Sequence, residues 1–209
     1  MICDFLVSQK KRPNFAENLR EMKKIAVFGS GSGTNAENII RHFKLNPKVQ
    51  IGPLVSNTSK SRFKEIAKTN GIEYLEYSNQ DFAEFPEKIL ADLNSRETEW
   101  IILAGFLRKI HPDLIRAFSN KMINIHPSLL PKYGGKGMYG MKVHQAVFEN
   151  NDSESGITVH FVNENFDEGK IIEQRKVNVS SCQTPDEIRG KVQELEQLVF
   201  PEIIESVIL

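Results

Sequence analysis

The chain has 209 residues, and its 27 Lys and Arg residues balance 27 Asp and Glu residues, so its formal net charge is zero. This length predicts one domain, and the zero net charge disfavours a nucleic-acid-binding protein that acts through bulk positive charge. No apolar run approaches the roughly 20 residues that a membrane span requires. Only Cys3 and Cys182 are present, too few for a disulfide framework or a zinc site by themselves, so we expect a soluble, cytoplasmic protein.

The first 22 residues differ from the rest of the chain because they show no clear hydrophobic periodicity. We expect residues 1–22 to be a poorly ordered N-terminal extension without a catalytic role, or the true start to be Met22. Lys10, Lys11 and Arg12 follow the apolar residues of this segment, the reverse of the order in a secretory signal. Residues 23–209 are predicted to form a single domain.

From residue 24 to residue 126, apolar strands alternate with segments of helical periodicity. Pro53 weakens one of these strands, because proline cannot donate to a strand ladder. The predicted strands are Lys24–Phe28, Val49–Val55, Ile72–Tyr77, Trp100–Ala104 and a strand that ends at His126. The predicted helices carry the apolar stripes of residues 36–43, 63–67, 82–93 and 112–118, and Phe85 belongs to the third stripe.

The pattern changes after residue 127, where a loop over residues 127–141 contains four glycines. The elements predicted beyond it are a short helix over His144–Asn150, strands over Ile157–Val162 and Ile171–Val179, and a helix that begins at Thr184. Pro201 is expected to kink or interrupt this last helix. The whole pattern predicts an α/β fold, with a doubly wound, mostly parallel sheet, flanking helices and antiparallel strands in the C-terminal part.

A glycine-rich loop, Gly31-Ser-Gly-Thr-Asn35, connects the first strand to the first helix. Residues 31–36 match the dinucleotide pattern GxGxxG/A, but the second strand ends at Ser56-Asn57 without the acidic residue that holds a ribose, which disfavours nicotinamide binding. The loop also lacks the Lys-Ser/Thr pair of a P-loop. Its backbone N–H groups at a helix N-terminus suit a single phosphate. We favour this interpretation over a tight turn that merely needs glycine.

Asn124 and His126 lie two residues apart at the end of a predicted strand, so both side chains point to the same face. The amide donates hydrogen bonds without carrying charge, and the imidazole can donate as a cation. Such a pair suits stabilisation of an oxyanion that develops on a carbonyl. The alternatives are a capping role for Asn124 and a structural, partly buried histidine at position 126.

Other chemistries are less well supported by the sequence. The four residues that could hold a metal, His126, His144, His160 and Asp167, show neither HxxxH nor HxxEH spacing, so no metal centre is expected. Ser128 lacks the GxSxG elbow of serine hydrolases. Spacing alone does not decide whether Asp167 has a functional role, because Asp is common in hairpin loops for reasons of turn geometry.

The chain resembles the folate-dependent formyltransferases, and within them the phosphoribosylglycinamide formyltransferase family. Four segments over residues 24–209 carry the resemblance: Gly31–Asn35, Ala104-Gly-Phe-Leu-Arg-Lys-Ile110, Asn124-Ile-His-Pro-Ser-Leu-Leu-Pro131, and Val159-His-Phe-Val162 followed by Asp167. The third segment is typical of formyl-transferring folate enzymes as a group. The glycine loop and the chain length point to the glycinamide ribonucleotide branch, since methionyl-tRNA formyltransferases carry an extra C-terminal domain.

The resemblance implies formyl transfer from 10-formyltetrahydrofolate, as co-substrate, to the amine of glycinamide ribonucleotide in purine synthesis. The implied catalytic residues are Asn124, His126 and Asp167. The residues implied in ribonucleotide binding are Gly33, Thr34 and Asn35, and those implied in folate binding are Leu107, Arg108, Lys109, Ile110 and Asn124. Asn124 and a protonated His126 would stabilise the oxyanion, while Asp167 would keep His126 charged by raising its pKa.

The resemblance further implies only small-molecule partners, with no nucleic acid and no membrane. It implies no tightly bound cofactor and no metal, and the chain is expected to be a monomer or a weak homodimer. Two departures from the family stand out: Phe82 lies where a basic folate contact is common, and residues 134–141 are unusually long and glycine-rich. The rival hypotheses are a formyltetrahydrofolate deformylase, a nucleotide-sugar amine formyltransferase and a non-catalytic nucleotide-binding protein.

Overall fold

We describe residues 22–209 from a computed structural model of the chain; the predicted extension over residues 1–22 lies, but for Met22, outside this range. The strands are β1 Lys23–Phe28, β2 Val49–Ser56, β3 Tyr74–Glu76, β4 Trp100–Leu103, β5 Met122–His126, β6 Glu154–Phe161 and β7 Ile171–Asn178. The helices are α1 Thr34–Phe43, α2 Phe63–Asn70, α3 Asn79–Glu84, α4 Pro86–Ser95, α5 Pro112–Ala117, α6 Met141–Glu149 and α7 Pro185–Ile208.

All seven strands form one sheet in the order β3-β2-β1-β4-β5-β6-β7. Strands β1 to β5 pair in parallel, whereas β6 pairs antiparallel with both β5 and β7. The predicted fold class is therefore confirmed. The strand order reverses between β1 and β4, and the carboxyl ends of strands at such a switch point leave a crevice that binds ligands in open α/β sheets.

The central strands separate two apolar cores because their side chains alternate between the two faces of the sheet. Ile25 and Val27 of β1 belong to one core, while Ala26 and Phe28 belong to the other. Helices α1, α2 and α7 cover the first core, and α3 to α5 cover the second. The continuous apolar runs of β1 and β4 follow from this burial on both faces.

Pro53 does not prevent strand β2, because it lies at an irregularity of the ladder. The register between β1 and β2 shifts between the pairs Ile25–Ile51 and Val27–Leu54, so β2 has one extra residue at this point. The pairing of β2 with β3 begins only at Leu54. A bulge is one of the few places where a strand accommodates a residue without an N–H.

The single helix predicted over residues 82–93 is wrong, since the structure has two helices that meet at Phe85. Pro86 has no N–H and disfavours helical backbone at the residue before it. Phe85 accordingly has φ −128° and ψ 53°, and its side chain is exposed rather than part of a buried stripe. Phe82 remains in the core.

Helix α7 begins as predicted, with the Thr184 hydroxyl accepting a hydrogen bond from the Glu187 N–H. The expected interruption at Pro201 is wrong, because α7 continues through this buried proline. Pro201 cannot donate to the carbonyl of Gln197 one turn earlier. The side-chain amide of Asn38 on α1 donates to that carbonyl instead. A side chain from a neighbouring helix thus replaces the missing helical hydrogen bond.

Removing this replacement donor should destabilise the fold. We expect Asn38→Ala to lower the free energy of unfolding by about 1–3 kcal/mol, because the Gln197 carbonyl loses the donor that replaces the N–H missing at Pro201. In a Pro201→Ala background the helix regains its own N–H, so the same change should cost much less. Urea unfolding of the wild type, both single variants and the double variant measures this difference. Equal costs in both backgrounds would contradict the interpretation.

Candidate active site

The predicted site residues meet at the carboxyl ends of β1, β4 and β5, next to the switch point of the sheet. A cavity of about 660 Å³ opens there. Its walls include the glycine turn after β1, the segment after β4, the end of β5, the loop between β6 and β7, and one side of α7. Eight of the predicted site residues line this cavity: Gly33, Thr34, Asn35, Leu107, Arg108, Asn124, His126 and Asp167.

The turn after β1 presents the N-terminus of α1 to this cavity. Gly33 caps the helix in a left-handed conformation with φ 77°, and a β-carbon there would lie 2.3 Å from Cδ1 of Ile66. A glycine is therefore required for both backbone and steric reasons. No side chain caps the helix, and Thr34 and Asn35 occupy its first turn. First-turn N–H groups have no partner within their own helix and can bind an anion.

Glu196, which no sequence motif singled out, projects from α7 into the same cavity. Its carboxylate accepts a hydrogen bond of 2.9 Å from the Asn35 amide. Burial raises the pKa of Glu196 to about 7, and the contact with Asn35 opposes this shift only in part. Glu196 follows the buried Val192 by four residues, and residues four apart lie on the same face of a helix. This spacing predicts a carboxylate near the buried face of α7.

Asn124 and His126 both belong to β5, and both line the cavity, as their spacing predicts. His126 is buried, and its Nε2 donates a hydrogen bond of 2.8 Å to the carbonyl of Tyr133. Its Nδ1 lies 3.5 Å from Oδ2 of Asp167. Since a carbonyl can only accept, a neutral His126 carries its proton on Nε2. Nδ1 is the nitrogen left for chemistry.

The protonation state of His126 differs from the one implied by the resemblance. Burial lowers the pKa of His126 below its ordinary value, and it outweighs the opposing effects of Asp167 and of the Tyr133 carbonyl. Asp167 thus raises the pKa of His126, as the resemblance implies, but in the unliganded site burial has the larger effect. The physical reason is that burial destabilises the imidazolium by removing its hydration, and this effect is larger than the stabilisation by one carboxylate at 3.5 Å. His126 is a neutral proton acceptor at pH 7.

Asp167 lies in the loop between β6 and β7 with φ 58°, a conformation that Asp tolerates better than most residues. Burial by itself would raise the pKa of Asp167, but His160, His126 and the N–H of Gly135 together hold that pKa below its ordinary value. The Gly135 N–H donates to Oδ2 at 2.9 Å. Asp167 is thus an ionised carboxylate that faces a neutral histidine.

The glycine-rich loop over residues 134–141 closes one side of the cavity. Gly135 and Gly137 both have φ 91°, which non-glycine residues rarely adopt. Residues 135–141 line the cavity, so the glycines of this loop shape its wall. Through the Gly135 N–H the same loop also positions Asp167.

The segment after β4 divides between two adjoining cavities. Leu107 and Arg108 line the large cavity, whereas Lys109 and Ile110 line a smaller one of about 80 Å³. Arg108, Asn124 and Asp167 border both cavities. These four of the five predicted folate-contact residues therefore lie beside the catalytic candidates.

Phe82 lies away from these cavities. It is buried in the second core, with its ring centroid 4.8 Å from that of Phe106. Phe106 in turn lines both cavities. The aromatic residue at this position therefore supports the cavity wall from behind, and it supplies no polar contact.

His144 is a second buried histidine at the cavity, and its Nδ1 has no hydrogen-bond partner within residues 22–209. Burial, with a smaller effect from the Arg189 charge, lowers the pKa of His144 to about 4. The unfolded chain therefore binds an additional proton between about pH 4 and pH 6.5, and stability is lost as the pH falls through this window.

We expect the free energy of unfolding to fall by about 3 kcal/mol from this group alone between pH 6.5 and pH 4. Urea unfolding of wild type and His144→Gln across this range provides the measurement. As the pH falls, the free energy of unfolding should decrease more for the wild type than for His144→Gln. His126 contributes a slope of the same sign in both proteins and cancels in the comparison. A constant difference would contradict this assignment.

Two absences concern only the part of the chain that the structure describes. No group of three or more His, Cys, Asp or Glu side chains in residues 22–209 is arranged to hold a metal ion. Within the same residues, no helix has both the length and the apolar character needed to cross a membrane.

The fold and the site define a class. The sequence profile of the family described as formyl transferase matches residues 23–204, which is nearly the whole of the described chain. The carboxyl-end cavity and the Asn124–His126–Asp167 cluster lie entirely within the matched range. The domain is therefore a formyl transferase domain.

Comparison with similar proteins shows which family of formyl transferases the chain belongs to. The phosphoribosylglycinamide formyltransferase of Bacillus subtilis is 34% identical over 191 residues, which cover 90% of this chain and 95% of that protein. A chloroplastic phosphoribosylglycinamide formyltransferase of Vigna unguiculata is 39% identical over 190 residues, covering 88% of this chain but only 60% of the plant protein. The crystal structure of glycinamide ribonucleotide transformylase 1 from Geobacillus kaustophilus superposes with a TM-score of 0.82 at 32% identity, over 90% of this chain and 100% of that one. The chain belongs to the phosphoribosylglycinamide formyltransferase family.

Proposed function

We propose that this protein transfers the formyl group of 10-formyltetrahydrofolate to the amine of 5-phosphoribosylglycinamide. The products are formylglycinamide ribonucleotide and tetrahydrofolate, as a step of purine biosynthesis. One observation carries the proposal: Asn124, His126 and Asp167 line the same cavity as the turn at Gly33–Asn35, where a helix N-terminus can bind an anion. The names of the similar bacterial and plant proteins support the same reaction.

The two substrates approach the cluster from different sides. The N-terminus of α1, at Gly33, Thr34 and Asn35, holds the ribonucleotide phosphate, since free N–H groups and the helix dipole favour an anion there. Glu196, beside Asn35, is available to accept hydrogen bonds from a sugar hydroxyl. The folate lies along the segment of Leu107, Arg108, Lys109 and Ile110 and reaches Asn124.

The reaction begins when the substrate amine attacks the formyl carbon. The carbonyl electron pair moves to oxygen, and Asn124 donates an N–H to the oxyanion that forms. One such donor is worth about 3 kcal/mol of the barrier. The C–N10 bond then breaks, and N10 leaves with a proton as tetrahydrofolate. The amine's proton must therefore travel from the attacking nitrogen to N10.

His126 and Asp167 supply the path for this proton. Because the pKa of His126 is lowered, its Nδ1 enters the reaction as an acceptor and takes the amine's proton, directly or through water. The imidazolium that results is stabilised by Asp167 at 3.5 Å and donates from Nδ1 to the oxyanion or to N10. The positive charge thus exists only while negative charge develops beside it.

The broader setting follows from the same proposal. Both substrates are small molecules, and 10-formyltetrahydrofolate acts as a co-substrate that is consumed in each turnover. We place the reaction in the cytoplasm, in keeping with the scarcity of cysteine. The oligomeric state stays a prediction of a monomer or a weak homodimer.

The decisive experiment follows the absorbance of a 10-formylfolate analogue with and without glycinamide ribonucleotide. Deformylated folate that forms only when the amine is present supports transfer. Product without the amine indicates a deformylase, and no product in either case refutes the proposal. Asn124→Leu serves as the matched control, because a leucine has the same branched shape, removes both N–H groups and should lower the rate by about 100-fold.

A further inference from the structure

His160 lies between two of the three catalytic candidates, although the proposed mechanism assigns it no role. It belongs to β6 and stands directly opposite Asn124 in the β5–β6 ladder. Its side chain is almost fully buried, with 2% of the residue exposed. Its Nε2 is 3.0 Å from Nδ2 of Asn124 and 3.7 Å from Oδ1 of Asp167.

The backbone determines which nitrogen of His160 carries the proton. Nδ1 lies 2.8 Å from the carbonyl oxygen of Phe161, and a carbonyl can only accept. The proton of a neutral ring is therefore on Nδ1, which leaves a lone pair on Nε2. Two groups face Nε2: the Asn124 amide nitrogen at 3.0 Å and the Asp167 carboxylate at 3.7 Å. Only the first lies within hydrogen-bond distance, and it is the donor that this tautomer requires.

This contact selects one of the two orientations of the Asn124 amide. The oxygen and nitrogen of an asparagine are nearly equal in size, so packing alone distinguishes the two orientations poorly. The lone pair of His160 Nε2 accepts from an N–H but repels a carbonyl oxygen. One N–H of Asn124 is thereby occupied, and the second stays on the same nitrogen for the reacting oxygen. The opposite orientation would present a lone pair to a developing oxyanion.

We infer that His160 is a positioning residue, which orients the Asn124 amide so that its second N–H serves the oxyanion of the transfer reaction. The inference rests on the proposed function, because it gives Asn124 the role of oxyanion donor. Two consecutive hydrogen bonds connect the Phe161 carbonyl to His160 and His160 to the Asn124 amide. This arrangement adds a fourth side chain to the machinery, and this side chain acts through Asn124.

A matched pair of variants separates orientation from mere space filling. The amide of His160→Asn lies near the position of Nδ1, so it keeps a donor for Phe161 but removes the acceptor for Asn124. The amide of His160→Gln reaches the position of Nε2 and restores an acceptor. We expect His160→Asn to lower kcat by about 100-fold with little change in the KM of the ribonucleotide. We expect His160→Gln to retain most of the wild-type kcat.

A double-mutant cycle tests whether His160 acts through Asn124. In an Asn124→Ala background there is no amide to orient, so His160→Asn should cause little further loss of kcat. In an Asp167→Asn background the same change should keep its full effect. Equal losses from His160→Asn with and without Asn124 would overturn the inference, as would a His160→Gln variant no better than His160→Asn.

A measurement on the wild type makes the test independent of how the variants fold. Nitrogen NMR of the histidine rings reports which nitrogen of His160 is protonated. A proton on Nδ1 is the expected result, and a proton on Nε2 alone would overturn the inference. Wild-type protein that carries the expected tautomer but shows no amine-dependent transfer would instead refute the proposed function. The two failures are therefore distinguishable.

Discussion

Asp167→Asn is expected to lower kcat by about 10³-fold while the protein stays folded. The substitution keeps an oxygen that can accept from the Gly135 N–H, and asparagine adopts the backbone conformation at φ 58° readily. The loss is therefore electrostatic: the imidazolium that forms at His126 during turnover no longer has its counter-charge at 3.5 Å. Steady-state kinetics in the absorbance assay with the 10-formylfolate analogue measures the change.

The same variant should shift the titration of His126 in a defined direction. Asp167 raises the pKa of His126 in the wild type, against the larger lowering effect of burial. Removing the carboxylate must lower that pKa further. For the wild type, kcat/KM should decline only as the pH falls through the lowered pKa of His126, because the protonated ring cannot accept the amine's proton. NMR titration of the His126 ring in both proteins provides the measurement.

A charge-matched control is available at the surface. Asp113, at the start of α5, is partly exposed, pairs with Arg116 and borders neither cavity. Asp113→Asn removes the same charge and should leave kcat and the His126 titration unchanged. Near-normal turnover in Asp167→Asn, or an increased pKa of His126 in that variant, would contradict the proposed proton path.

Gly169→Ala is expected to impair both stability and turnover. A β-carbon on Gly169 would lie 1.6 Å from the carbonyl oxygen of Phe161, so the backbone at the base of the β6–β7 loop must move. Overpacking of this kind costs about 3 kcal/mol. The displaced carbonyl is the one that accepts from His160, and the displaced loop carries Asp167. A misplacement of about 1 Å at such a site can cost 100-fold in kcat.

Gly190 offers the matched comparison for this substitution. It lies inside α7, and a β-carbon there would meet nothing within 4 Å. Gly190→Ala should therefore increase the free energy of unfolding by about 0.5–1 kcal/mol, because alanine favours the helix, and leave kcat unchanged. Urea unfolding and the folate assay on both variants complete the experiment. Wild-type stability and activity in Gly169→Ala would show that this loop relaxes freely.

Several elements were predictable because their causes are local. The alternation of apolar strands and helices predicts the parallel sheet, and the two-residue spacing of Asn124 and His126 places both at the cavity. The N-cap at Thr184 depends on four consecutive residues and their backbone. The errors at Phe85 and Pro201 have two different origins. The first is a local effect of Pro86 that the helical stripe concealed, whereas the second depends on Asn38, more than 150 residues away in sequence.

The sequence by itself determined the fold class, the glycine turn and the residue types of the catalytic cluster, since hydrophobic periodicity and short motifs are properties of neighbouring residues. Only the tertiary structure decided how that cluster is charged and oriented. Burial lowers the pKa of His126 although Asp167 is adjacent, the Tyr133 carbonyl occupies its Nε2, and His160 faces the Asn124 amide. Glu196 enters the cavity from a helix that begins 150 residues after the glycine turn. Desolvation and hydrogen-bond direction depend on atoms that are distant along the chain, and no local pattern encodes them.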